Sequence, residues 1–273
     1  MKLSNWMIGR PKNKMIIKTI YGFKLHIDPI YDNGVEKSIY YTGTYEAGTL
    51  FIFSKLLEKG DLFIDVGANI GLMSIYAAMK VGESGNVHAF EPDPETFKIL
   101  FDNCKLNNCM NVILNEVALG LEEKEALIFP NPEINRGSSS LIKSEGSNGK
   151  RISVISLDDY IELNNISEIK LMKIDIEGYE LEMLKGSKKL LSSDIAPIIC
   201  IEYSKEMSRT ENVGDIYDFI KEVNEFRIFK FTIWKGDVCK LTEVFSKSDM
   251  PQHDNVFCFT EKQLSKVTRE IFE

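Results

Sequence analysis

The chain has 273 residues, 44% of them hydrophobic and 27% charged, and a formal net charge of -8. That composition belongs to an ordinary soluble globular protein of one large domain or two small ones. With no basic stripe to offset the acidic balance, a nucleic-acid partner is excluded, because phosphate backbones are bound by clustered Lys and Arg.

The five cysteines (Cys104, Cys109, Cys200, Cys239, Cys258) contain no CxxC pair. Neither a metal nor a disulfide framework is expected, and a reducing cytoplasm is the simplest compartment. The opening "MKLSNWMIGRPKNK" lacks the apolar core of a signal peptide. No apolar run approaches the ~18 residues of a membrane span.

In chain order, "MIIKTIYGFKLHID" alternates about a Tyr-Gly turn and predicts a hairpin, and "DNG" at 32–34 marks a second turn. The spacing of Leu50, Phe53, Leu56 and Leu57 predicts a helix over 45–59 with Gly60 as its C-terminal cap. Strand and helix then alternate. Residues 62–66 read as a buried strand, 72–80 as a helix, 87–90 as a second strand, and Pro94 opens a helix behind an Asp93 cap. A third strand falls at about 112–117.

Between 120 and 157 the pattern breaks: "EALIF" and "RISVI" flank a long loop rich in Gly, Ser, Asn and Pro, of a length that is usually functional or disordered. Alternation resumes with "EIKLMKID", a helix over 179–185, "PIICIEY" and a helix over 213–223. "FRIFKFTIW" and "DVCKLTE" suggest a hairpin, "NVFCF" a last strand, and "TEKQ" a capping-box start for a terminal helix. The pattern implies an α/β fold with a mostly parallel sheet and helices on both faces. One domain over 1–273 is expected, with 1–44 an N-terminal hairpin and cap segment and 120–157 a hairpin insertion.

The stretch "FIDVGANIG" at 63–71 carries the chemistry. In open parallel sheets ligands sit at the carboxyl ends of strands. Gly67 and Gly71 allow a tight turn and close backbone approach, and the helix that follows favours a negative group at its start. The dinucleotide fingerprint GxGxxG is absent. Instead Asp65 precedes the turn, Glu91 and Asp93 follow the second strand, and Asp175 and Glu177 follow a later one. A pyrophosphate among these acids would be repelled by up to ~4 kcal/mol per close pair at an effective dielectric of 20. S-adenosylmethionine suits them better: its ammonium and sulfonium meet the acids, its carboxylate meets the helix start, and its ribose hydroxyls meet an acid about 20 residues beyond the glycines, namely Glu91.

"DVGANIG", "FEPDPETF", "GSSSL", "ISLDDYI", "KIDIEGYELEMLKG" and "PIICIEY" together resemble the FkbM family of S-adenosylmethionine-dependent methyltransferases, in order and spacing over roughly residues 45–205. The resemblance implies a Rossmann-like class I methyltransferase fold with a final antiparallel strand at the sheet edge. It implies O-methylation of a sugar, glycan or small-metabolite hydroxyl. It places Asp65, Gly67, Asn69 and Gly71 along the methionine part of the cofactor, Glu91 at the ribose, and Glu116 and Val117 beside the adenine. Glu46, in "TYE", becomes a candidate for the ammonium.

A general base must reach the acceptor hydroxyl and titrate near working pH. Glu177 is the leading candidate and His253 another, with Asp175 as a cofactor or active-centre group. Lys173, in the same buried strand, is expected to pair with one of the acids. Arg136, Ser138, Ser139 and Ser140, in the long loop, are expected on the substrate side. His26 and His88 read as structural. Two other readings stay open at this stage: a nicotinamide-dependent oxidoreductase, and a cofactor-binding module without catalysis. The acceptor's identity and the oligomeric state are not legible.

Overall fold

The computed structural model describes residues 9–129, 149–205 and 215–273. The chain begins with β1 (Met15–Lys18) and β2 (Lys24–Ile27), followed by α1 (Val35–Thr42) and α2 (Ala47–Leu56). The alternating body runs β3 (Leu62–Val66), α3 (Leu72–Val81), β4 (Asn86–Phe90), α4 (Pro94–Leu106), β5 (Val112–Asn115). Three short strands follow, β6 (Ala118–Gly120), β7 (Lys124–Ile128) and β8 (Lys150–Ser156), then α5 (Leu157–Leu163). The second half is β9 (Leu171–Ile174), α6 (Glu180–Lys185), α7 (Lys188–Leu191), β10 (Ile198–Ser204), α8 (Ile216–Val223), β11 (Arg227–Phe231), β12 (Leu241–Val244), β13 (His253–Phe259) and α9 (Glu261–Leu264).

Among the described residues the main sheet has eight strands in the order β12-β11-β13-β10-β9-β3-β4-β5. The pairs β5–β4, β4–β3, β3–β9 and β9–β10 are all parallel. β13 runs antiparallel between β10 and β11, and β12 forms an antiparallel edge. This is the class I methyltransferase arrangement. The last strand of the chain lies one hairpin in from the rim, because β11 and β12 close outside it.

The central strands are buried on both faces, so their sequences are near-continuous apolar runs. Alternate residues feed two cores. Phe63, Leu171, Ile198 and Phe257 pack with Phe53 of α2, Ile75 of α3 and Leu100 of α4. Ile64, Met172, Ile199 and Val256 pack with Leu157 of α5, Leu184 of α6 and Ile220 of α8.

The terminal hairpin forms as expected, with Gly22 in the left-handed region at φ 98. It docks on α4 through two side-chain amides that stand in for a neighbouring strand. Asn107 accepts from the Lys24 amide at 2.8 Å and donates to its carbonyl at 2.7 Å. Asn103 accepts from the His26 amide at 2.6 Å and donates to Ile70 O at 2.8 Å.

Two details depart from expectation. The 45–59 helix ends at Leu57 in an extended conformation, and Gly60 serves the next turn at φ 93 instead of capping it. The segment after "DNG" forms α1, closed by Gly43 at φ 71; no side chain caps its start, which removes the usual sequence signal. Around 120–157, β7 and β8 pair antiparallel and, with β6 parallel to β8, make a separate three-stranded sheet.

Candidate active site

The cleft opens at the carboxyl ends of β3, β4, β9 and β10 and spans about 1100 Å³, the open space at its mouth included. At the end of β3 the chain turns sharply. Gly67 (φ 81) lets its amide and that of Ala68 donate to Phe90 O, at 3.0 and 2.9 Å. A Cβ on Gly67 would lie 1.9 Å from Asp175 O, so only glycine lets β3 and β9 approach here. Asn69 sits at φ 50 with its side-chain Oδ1 buried and unpartnered among the described residues. Gly71, at φ 92, heads α3.

Asp65 is fully buried behind this turn. Its Oδ2 accepts from Ser74 Oγ of α3 at 2.5 Å, and its Oδ1 has no hydrogen-bond partner among the described residues. Burial pushes its carboxyl up, against the pull of Lys173 and the Ser74 bond. Glu91, after β4, accepts from the amides of Asn69 (2.9 Å) and Asp93 (3.0 Å). Burial outweighs those bonds and pushes it up to about 7. Asp93 caps α4, as its sequence position suggested, and pairs with Lys150 at 2.9 Å.

At the other wall Lys173 Nζ lies 2.8 Å from Asp175 Oδ2, the ion pair expected for a lysine in a buried strand. Burial works against ionised Asp175, but Lys173 and Lys235 prevail and hold it below the usual carboxylate range. Glu177, at φ 54, is pushed up to about 7 by burial and then by the charges of Asp175 and Glu180. Glu202, at the end of β10, is pushed up to about 8 by burial and then by Asp175. Glu202 Oε1 is 2.6 Å from Lys235 Nζ and 3.4 Å from His253 Nε2.

Of the residues singled out from sequence, Glu46, Gly67, Asn69, Glu91, Val117, Asp175 and Glu177 line the cleft together. Asp65 and Gly71 support it from behind. Glu116 is exposed and does not line it: β5 ends at Asn115, and the next residue turns outward while Val117 turns in. His253 stands at the start of β13 with its side chain 59% exposed, reaching the cleft only through Glu202. The expected substrate-side residues of the long loop, Arg136, Ser138, Ser139 and Ser140, lie outside the described residues. His88 is buried with Nδ1 2.7 Å from Tyr160 Oη, a structural contact.

Sequence reasoning missed Tyr45, Glu202 and Lys235. An acid ending a buried strand was the signal used for Asp65 and Asp175, and "PIICIEY" carries the same signal for Glu202. Lys235, in "FTIWKG", has no spacing to announce it.

The family model described as the methyltransferase FkbM domain matches residues 65–228, more than half of the chain. The chain is 34% identical over 136 residues to hexuronic acid methyltransferase AglP of Haloferax volcanii, covering 50% of this chain and 54% of that protein. It is 28% identical over 159 residues to 31-O-demethyl-FK506 methyltransferase FkbM of Streptomyces tacrolimicus, covering 48% of this chain and 60% of that protein. The chain thus spans little more than half the length of these relatives. A crystal structure of methyltransferase FkbM from Methylobacillus flagellatus KT aligns with 76% of this chain and 48% of that one, at 17% identity and a TM-score of 0.49.

Proposed function

Since this chain belongs to the methyltransferase FkbM domain family, we propose that its cleft binds S-adenosylmethionine and serves methyl transfer to a hydroxyl of a sugar, glycan or small metabolite. The observation that carries the reading is the buried Asn69 Oδ1, without a hydrogen-bond partner among the described residues, at the turn after β3 in a cleft also lined by Glu46, Glu91, Asp175 and Glu177. Buried polar atoms rarely stay unsatisfied, and acceptor oxygens in an acid-rich wall suit a ligand with cationic and N–H groups. The residues present therefore fit this cofactor and not a pyrophosphate, which disfavours the nicotinamide reading.

In this reading Glu91 holds the ribose hydroxyls, and Gly67, Asn69, Glu46 and Asp175 surround the methionine part. Asp65 and Gly71 support the turn, and Val117 contacts the adenine. When bound, S-adenosylmethionine supplies an electrophilic methyl on a positive sulfur. The chain's own contribution is to position the acceptor oxygen and exclude water. Glu177, with a carboxyl near neutrality, is the better base for the acceptor proton; Asp175, held ionised by two lysines, is the poorer one. His253 is the remaining candidate, acting through Glu202. A hydroxylated glycan acceptor is supported by the name of the Haloferax relative.

No helix of the described residues is long and apolar enough to cross a membrane. We place the protein in the cytoplasm, a reading its five free cysteines support.

Calorimetric titration with S-adenosylmethionine beside NAD, repeated on Asp65→Ala and Glu91→Ala, tests the proposal. Micromolar binding of S-adenosylmethionine alone, weakened in both variants, is expected. Binding of NAD instead, or of neither, would overturn it.

A further inference from the structure

Beside the cofactor wall, three carboxylates converge from three elements: Glu46 before α2, Asp175 after β9 and Glu202 at the end of β10. One oxygen from each lies within 4.8 Å of the others. Three convergent carboxylate oxygens form a set that hard divalent cations bind. Here the position is filled from within. Lys235 Nζ lies 2.7 Å from Glu46 Oε1 and 2.6 Å from Glu202 Oε1, with both its own side chain and that of Glu46 almost wholly buried.

The lysine is placed rather than draped. Its amide donates to Asp254 Oδ2 at 3.3 Å and its carbonyl accepts from the Gly48 amide at 2.8 Å. A Cβ on Gly48 would come 2.8 Å from that carbonyl and 2.5 Å from Asp237 O, so the start of α2 is built for close contact with this loop. Asn255 braces the cluster from β13, donating to Glu46 Oε2 at 2.8 Å.

We propose that Lys235 is the built-in cation of this three-carboxylate pocket, occupying the place of a divalent ion behind the cleft wall. Glu46, Asp175 and Glu202 line the cleft, whereas Lys235 stands behind them and is 4% exposed. Its Nζ forms an ion pair with Glu46 and donates to Glu202 Oε1 at 2.6 Å and to Asn255 Oδ1 at 3.4 Å. A fixed positive charge there offsets the mutual repulsion of three acids gathered at one wall. No bond is made or broken at Lys235; it is a positioning and electrostatic group, and its occupancy of the pocket does not depend on the methyltransferase reading above.

The test uses Mn2+ as the probe, followed by electron paramagnetic resonance on the full chain, with S-adenosylmethionine calorimetry on the same samples. Wild type and Lys235→Arg, which keep a cation in the pocket, are expected to bind no Mn2+ there. Lys235→Ala is expected to bind one Mn2+ under conditions where wild type binds none, and Lys235→Ala/Glu202→Gln to lose it. A Lys235→Ala protein that still binds S-adenosylmethionine but takes up no Mn2+ overturns the proposal. So does wild-type protein that binds one Mn2+ in a manner abolished by Glu46→Gln, a result that stands even if Lys235→Ala fails to fold. Failure of S-adenosylmethionine binding in wild type strikes the functional reading instead and leaves the Mn2+ comparison intact.

Discussion

Ser74 Oγ donates a 2.5 Å hydrogen bond to Asp65 Oδ2, fixing a fully buried carboxylate from the helix that begins just after the glycine turn. The cofactor turn and α3 are thereby tied below the cleft floor. Ser74→Ala is expected to lower stability by about 1–3 kcal/mol, the cost of leaving a buried acceptor unmet. It should also weaken S-adenosylmethionine binding less than Asp65→Ala does. Urea denaturation and calorimetry on the two variants check the order; equal losses of affinity would deny Ser74 its supporting role.

The two glycines of the turn are expected to differ in tolerance. A Cβ on Gly67 meets the backbone oxygen of Asp175 at 1.9 Å, whereas one on Gly71 meets Leu100 Cδ1 at 2.7 Å, the end of a movable side chain. Gly71→Ala should cost about 1–3 kcal/mol from its left-handed backbone. Gly67→Ala should cost more and abolish cofactor binding, because β3 and β9 must separate. Thermal denaturation of the two variants would reveal the ranking.

Lys173 neutralises the acids of β3 and β9 from within the sheet. Lys173→Met should lose about 3–5 kcal/mol, the cost of breaking a buried ion pair from one side. Adding Asp175→Asn should recover part of that loss, and a double-mutant cycle would give a coupling of about 0.5–3 kcal/mol. Strict additivity in the cycle would mean that the 2.8 Å contact carries no coupling.

Burial lifts Glu91 and Glu177 from 4.5 to about 7 and Glu202 to about 8. The folded chain therefore keeps protons that the unfolded chain has released. The contribution of these groups to stability is whole below their unfolded value of 4.5 and declines as pH rises through about 7 to 8. The melting temperature of the ligand-free protein should fall accordingly between mildly acidic and mildly alkaline buffer. Cofactor binding should move the other way: a ribose held by ionised Glu91 binds more tightly with rising pH, by up to about tenfold per unit below 7. Calorimetry in buffers of different ionisation enthalpy would report the released proton, and a pH-independent Kd would detach Glu91 from the ribose.

The sheet was legible because its central strands are short apolar runs ending in acids, a pattern that period and composition register directly. The position of β13 was not, since nothing in "NVFCF" says that a hairpin formed by 227–244 lies outside it. Half of the cleft could be read for the same reason: Asp65, Glu91 and Asp175 each close a strand. Glu202 obeys that rule and was passed over, while Lys235 enters from a loop whose path depends on tertiary packing. Glu116 failed because one residue beyond a strand end reverses the face a side chain takes.

Asn103 bonds the His26 amide with one end and Ile70 O with the other, so β2, α4 and the turn of the cleft stand in series. The N-terminal hairpin is thus wired to the floor of the site without contributing to it. An amide on that outer hairpin becomes a remote gauge of occupancy: hydrogen exchange at His26 should slow when the turn is steadied by ligand, and Asn103→Ala should silence the signal while the cleft itself still fills.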